Sequence, residues 1–184
     1  MKKRKKKNVL MIIDMQKGLL KEHPFQEELL IFNIKHLLEE ARKQEIEVIY
    51  VCHDGGEGDD LEKGTKGFEI LEEIKPREGE CIFVKERNSS FYNTGLKEYL
   101  NQKLITEITV CGLQTDFCID ATVKAGFEHG FNMMVPQNGT STFDNTYLSA
   151  EKTISYYEQY IWNRRYGFVT TVAEICNQWK EDEI

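Results

Sequence analysis

The chain has five cysteines but no CxxC pair, and an odd number cannot close into a complete disulfide framework. These absences argue against a disulfide scaffold and against a structural zinc site of the usual spacing. Unpaired thiols suit a reducing compartment. No apolar run approaches the ~18 residues needed to cross a bilayer, so no membrane association is expected. The basic opening MKKRKKK leads only into VLMIID, a short apolar stretch that already carries an acid, so a secretory leader is not expected and the chain reads as cytoplasmic.

Positive charge is scarce beyond that opening. Six of the 24 basic residues lie in the first seven positions, which leaves 18 against 31 acids, a net −13 over the remainder. That balance repels nucleic acid. Residues 1–7 are expected to form a disordered basic tail and 8–184 a single domain. A phosphate-binding fingerprint is also missing. The glycines of DGGEGDD (54–60) sit among acids and do not open a helix.

What is present is an alternation. The 184 residues are 40% hydrophobic and 30% charged, enough for a buried core under a solvated surface. Apolar or β-branched runs at 8–13, 47–53, 81–85, 107–112, 131–136 and 166–171 predict strands. Helices are predicted over 26–44, 94–103, 116–130, 145–162 and 172–180, the first with Leu29, Leu30, Ile34, Leu37, Leu38 and Ala41 on one face. Residues 54–80 read as a long polar excursion. Apolar strands joined through helices imply an α/β fold of three layers, α/β/α: a six-stranded, mostly parallel sheet with helices on both faces. Ligands bind beyond the carboxyl ends of such strands.

Those ends carry the candidate chemistry. The first strand ends in Asp14, the second in His53 and Asp54, the third in Lys85. The fourth ends in Gly112, and Cys118 follows in the first turn of the next helix. A cap from Thr115 or Asp116 would leave that thiol near the positive helix end, a setting that lowers its pKa. Backbone N–H groups of residues 114–118 could then face a developing oxyanion. Cys52, Cys81, Cys111 and Cys176 lack this setting and read as small buried hydrophobes. Asp14 could take the thiol proton or cap the following loop. Lys85 could supply a cation or reach to solvent. His53, alone of four histidines on the predicted rim, could act as base, touch substrate or bridge loop carbonyls.

Three segments together, IIDMQKG (12–18), KERNSSFYNT (85–94) and CGLQTDFCIDATVKAGFEHGF (111–131), resemble the isochorismatase-like cysteine hydrolases, and the similarity runs from about residue 8 to residue 175. The resemblance implies a catalytic triad of Asp14, Lys85 and Cys118. It implies a cis peptide between Leu113 and Gln114, with an oxyanion hole formed by the N–H groups of Gln114 and Cys118. It also implies a homodimer or larger homo-oligomer. The mechanism implied is thiolate attack on a small molecule, breaking an amide-type C–N bond without a cofactor. Gln16, His53, Phe91 and Tyr92 are candidate substrate contacts. The metal-binding relatives that hydrolyse nicotinamide carry Asp and several His after the second strand. Here CHDGGEGDDLEKGTKGF (52–68) has one His and no D-x-H, so no metal is expected; Asp54, Glu57, Asp59 and Asp60 read as a solvated acidic loop. An isochorismatase-type vinyl-ether hydrolase, a nicotinamidase and a non-catalytic binding scaffold remain as alternatives.

Overall fold

A computed structural model describes residues 7–181. The expected basic tail therefore lies outside the described residues, apart from Lys7. Seven strands, β1 (Asn8–Ile13), β2 (Glu47–His53), β3 (Cys81–Lys85), β4 (Glu107–Leu113), β5 (Asn132–Pro136), β6 (Thr140–Ser141) and β7 (Phe168–Thr170), pair throughout in parallel. Their order is β3-β2-β1-β4-β5-β7, with β6 also on β4. The helices are α1 (Lys17–Leu20), α2 (Glu27–Lys43), α3 (Leu96–Gln102), α4 (Asp120–Glu128), α5 (Ala150–Tyr156) and α6 (Val172–Glu181). Among the described residues, no helix is long and apolar enough to cross a membrane.

The period-two side-chain alternation of a strand divides the core between two faces. Leu10, Ile12, Val48 and Tyr50 pack with Leu30, Ile34, Leu37 and Leu38 of α2 and Ile175 and Trp179 of α6. Val9, Met11, Ile13, Ile49, Val51, Ile108 and Val110 pack on the other face with Leu96 and Leu100 of α3 and Val123 of α4. Both layers of helices are thus held by the same central strands, which is why those strands are apolar without interruption.

Several expectations need correction. Leu29 does not join the buried face of α2: it is 38% exposed. The helix expected over 145–162 begins at Ala150, where Ser149 caps it by accepting the Lys152 N–H, and ends in a wide π turn over Tyr157–Trp162. The helix expected over 116–130 likewise opens as a π turn, Thr115–Ile119, before α4. A seventh strand, β6, has only two residues, too few for any periodicity to announce. It takes over beside β4 where β5 stops: β5 pairs at Glu107–Thr109, and β6 pairs at Gly112 and Leu113.

The chain winds outward from β1 through β2 to β3, then returns to β4 on the other side of β1. The sheet therefore reverses direction between β1 and β4, the place where such folds open a crevice.

Candidate active site

Asp14 and Cys118 flank that crevice, Asp14 directly after β1 and Cys118 just past β4. The two strands approach closely there. Gly112 has φ +121°, and a side chain on it would place Cβ 2.0 Å from the Ile13 carbonyl oxygen, so only glycine fits. Asp14 itself has φ +52°, and its N–H donates to Val51 O at 2.8 Å, which ties the turn after β1 to β2. The bond between Leu113 and Gln114 is cis.

Register brings in two more groups. His53 closes β2 and is paired with Lys85, which closes β3. The Lys85 side chain is fully buried, yet its ammonium is not idle. Nζ donates to Asp14 Oδ2 at 2.7 Å and to Cys118 Sγ at 3.2 Å, and lies 3.2 Å from His53 Nδ1. An ammonium has three protons and no acceptor. His53 Nδ1 must therefore accept, which makes the ring neutral with its proton on Nε2. Burial, and then the charge of Lys85, lower the His53 pKa from its ordinary value and favour that neutral form.

The same geometry corrects the expectation of a resting thiolate. Neither Thr115 nor Asp116 caps the helix. Burial, and then the negative charge of Asp14, push the Cys118 thiol up to about 12, and Lys85 only partly offsets this. Burial also raises the Asp14 carboxyl above its ordinary value, against the pull of Lys85. In the resting site the sulfur thus carries its proton, and Asp14 is a stronger proton acceptor than an exposed aspartate. Its second oxygen, Oδ1, is buried without a hydrogen-bond partner. Asp14, His53 and Cys118 also offer metal-ligand atoms within 4.8 Å of one another. Lys85 bonds to all three and already supplies positive charge at their centre.

The turn bearing Cys118 is braced from β6. Thr115 Oγ1 donates to Thr140 Oγ1 at 2.9 Å, and Thr142 Oγ1 donates to Asp116 Oδ1 at 2.6 Å. The Gln114 carbonyl accepts the N–H groups of Phe117 and Ile119, which flank that of Cys118. Toward solvent, Cys118 Sγ lies 3.8 Å from Oδ1 of exposed Asn88. No spacing or periodicity assigns a role to Asn88, Thr140 or Thr142; the fold brings them to this turn.

The remaining candidates fare differently. Gln16, expected to touch substrate, is buried with its amide committed to backbone: Oε1 accepts from His53 N, and Nε2 donates to His53 O and Phe68 O. It fixes the position of His53. Phe91 packs against His129 and Phe131, with ring centroids 5.2 and 6.0 Å apart. Tyr92 is 57% exposed. Of the other cysteines, Cys52, Cys111 and Cys176 are buried as expected; Cys81 is half-buried, its sulfur 3.2 Å from the Tyr99 hydroxyl. The acidic loop largely serves its own backbone: Asp54 accepts from Gly56 and Lys63, and Asp59 from Leu61.

Residues 8–162 match the Isochorismatase domain family. The chain belongs to the isochorismatase family. It is 35% identical to the isochorismatase family protein YddQ of Bacillus subtilis over 60% of this chain and 62% of that protein's length. It is 24% identical to the ureidoacrylate amidohydrolase RutB of Yersinia enterocolitica, over 92% of this chain and 88% of the relative. The fold superimposes on a cysteine hydrolase from Pseudomonas syringae pv. phaseolicola with a TM-score of 0.89 at 22% identity, over 99% and 100% of the two chains.

Proposed function

We propose that this chain is a cysteine hydrolase that breaks an amide-type C–N bond of a small molecule, with Cys118 as nucleophile, Asp14 as proton acceptor and Lys85 as the fixed cation between them. The observation that carries this reading is the single ammonium bonded at once to the Asp14 carboxylate and the Cys118 sulfur. A scaffold gains nothing from burying a lysine, an aspartate and a thiol together, since desolvating such groups is costly.

The pKa directions support one order of events. The sulfur attacks the substrate carbonyl carbon as its proton passes to Asp14 Oδ1, so thiolate never accumulates ahead of substrate. Lys85, bonded to both, is placed to offset the negative charge as it moves from the carboxylate to the sulfur. The carbonyl oxygen becomes an oxyanion, for which the N–H groups of Gln114 and Cys118 are the proposed donors. As the C–N bond breaks, Asp14 returns its proton to the departing amine. The acyl group is left as a thioester on Cys118. Water attacks the thioester, gives a proton to Asp14, and the sulfur leaves with that proton to restore the thiol and release an acid.

The name of the RutB relative includes amidohydrolase, which supports C–N rather than vinyl-ether cleavage. Among the described residues, His53 is the one histidine in the cluster with Asp14 and Cys118, and Lys85 occupies its Nδ1. That arrangement weighs against the metal-dependent nicotinamidase alternative. A panel of small amides, ureido acids, nicotinamide and a vinyl ether such as isochorismate tests the reading. Ammonia or amine release from an amide or ureido acid is expected; turnover of the vinyl ether alone would overturn it.

A further inference from the structure

A second concave site lies away from the thiol. A cavity of about 200 Å³ opens between the start of α2, Asn138 and Thr140 at the start of β6, and α5 with its π-helical continuation. None of Asp14, His53, Lys85, Asn88 or Cys118 lines it. Phe25, Leu29, Leu30 and Ile154 give it apolar walls.

Glu158 stands in the wall at 8% exposure. One of its oxygens accepts the Asn138 N–H at 3.1 Å. Among the described residues, nothing else answers its charge: it has no ion pair, and no lysine, arginine or histidine lines the cavity. Exposed Glu151 adds a second carboxylate to the same lining, and no other titratable side chain contributes. Carboxylates are almost never buried unless paired. Among the described residues Glu158 has no cationic partner, and burial, only partly offset by the Asn138 bond, pushes it up to about 7.

Volume and chemistry together define the complement. A cavity of roughly 150 Å³ with aliphatic and aromatic walls is large enough for benzene, so this one accommodates a ring or short chain with one polar group. Two acids and no base exclude anions. We propose that the cavity binds a small organic cation, a primary ammonium carried on an apolar body, with the ammonium on Glu158 and the body against Phe25, Leu29, Leu30 and Ile154. The site is independent of the hydrolase reading and stands whether or not Cys118 is a nucleophile.

Benzylammonium is the probe. It is titrated into the full chain at about pH 8.5, where Glu158 is ionised, and followed by amide chemical shifts in an NMR spectrum. Saturable shifts centred on Asn138, Ile154 and Glu158 are expected. Benzyl alcohol, of the same size without the charge, is expected to bind about tenfold more weakly or worse. Glu158→Gln, checked for native circular dichroism, is expected to show the same loss, and so is the unaltered chain at about pH 5.5, where Glu158 holds its proton. Absence of saturable benzylammonium binding overturns the proposal. So does benzyl alcohol binding as tightly as the cation, a comparison that needs no variant to fold.

Discussion

Thr142 donates its hydroxyl to Asp116 at 2.6 Å, across the gap between the end of β6 and the wide turn that carries Cys118. The donor is buried, and with the Thr115–Thr140 bond it fixes the turn from one side. Thr142→Val keeps the volume and removes the donor. A displaced nucleophile costs rate more than affinity. We therefore expect kcat to fall about 10- to 100-fold with KM little changed, and Thr142→Ser to recover most of the loss. Steady-state kinetics on the three proteins decide it. A fall in kcat that serine does not rescue would assign Thr142 to packing.

The pH profile follows from Asp14. As the proposed proton acceptor it must be ionised, and burial raises its pKa above the ordinary 3.8. Activity should fall as the pH drops through that raised value, so the acid limb of kcat/KM should lie above the range of an exposed aspartate. An acid limb at or below 3.8 would remove Asp14 as the proton acceptor.

Lys85→Met leaves the Asp14 carboxylate buried without its cation. Breaking a buried pair from one side typically costs about 3–5 kcal/mol. The sign with pH is fixed: losing the cation raises the Asp14 pKa further, so the destabilisation is largest at alkaline pH and shrinks once Asp14 is protonated. Denaturant unfolding at several pH values measures this. The double variant Asp14→Asn/Lys85→Met should regain much of the stability and none of the activity.

Glu158 makes an opposite and separate test. Its pKa is raised from 4.5 to about 7 in the folded chain, so the native state holds a proton that the unfolded state has released. This contribution is fully present below pH 4.5 and is lost as the pH rises through about 7. Glu158→Gln should therefore be more stable than the unaltered chain above neutrality, by about 1–3 kcal/mol, and gain nothing at acid pH. Melting temperatures at alkaline and acid pH distinguish this from a general packing effect.

Much of the architecture was legible because its causes are local. The runs NVLMII, EVIYVCH and EITVCG are apolar because both faces of the central strands are covered, and that pattern is visible residue by residue. Parallel pairing then puts Asp14, His53 and Lys85 at neighbouring strand ends with no further information. β6 was not legible: two residues have no period, and their pairing depends on β5 stopping at Pro136. The protonation of Cys118 was misread because position on a helix is only one contribution. The depth of burial and the nearness of Asp14 depend on how β1 and β4 pack, and they outweigh it. Gln16 shows the same limit, since an amide at a strand end looks free until the backbone groups that take it are in place.

The most direct test of the account is turnover by Cys118→Ala, measured as amine or ammonia release from whichever panel substrate the unaltered chain cleaves, with circular dichroism confirming the fold. The thiol lies 3.2 Å from Lys85 Nζ and is the atom proposed to bond to substrate. The account predicts a folded protein whose release rate is indistinguishable from the uncatalysed background. A folded Cys118→Ala protein that still cleaves the substrate would contradict it.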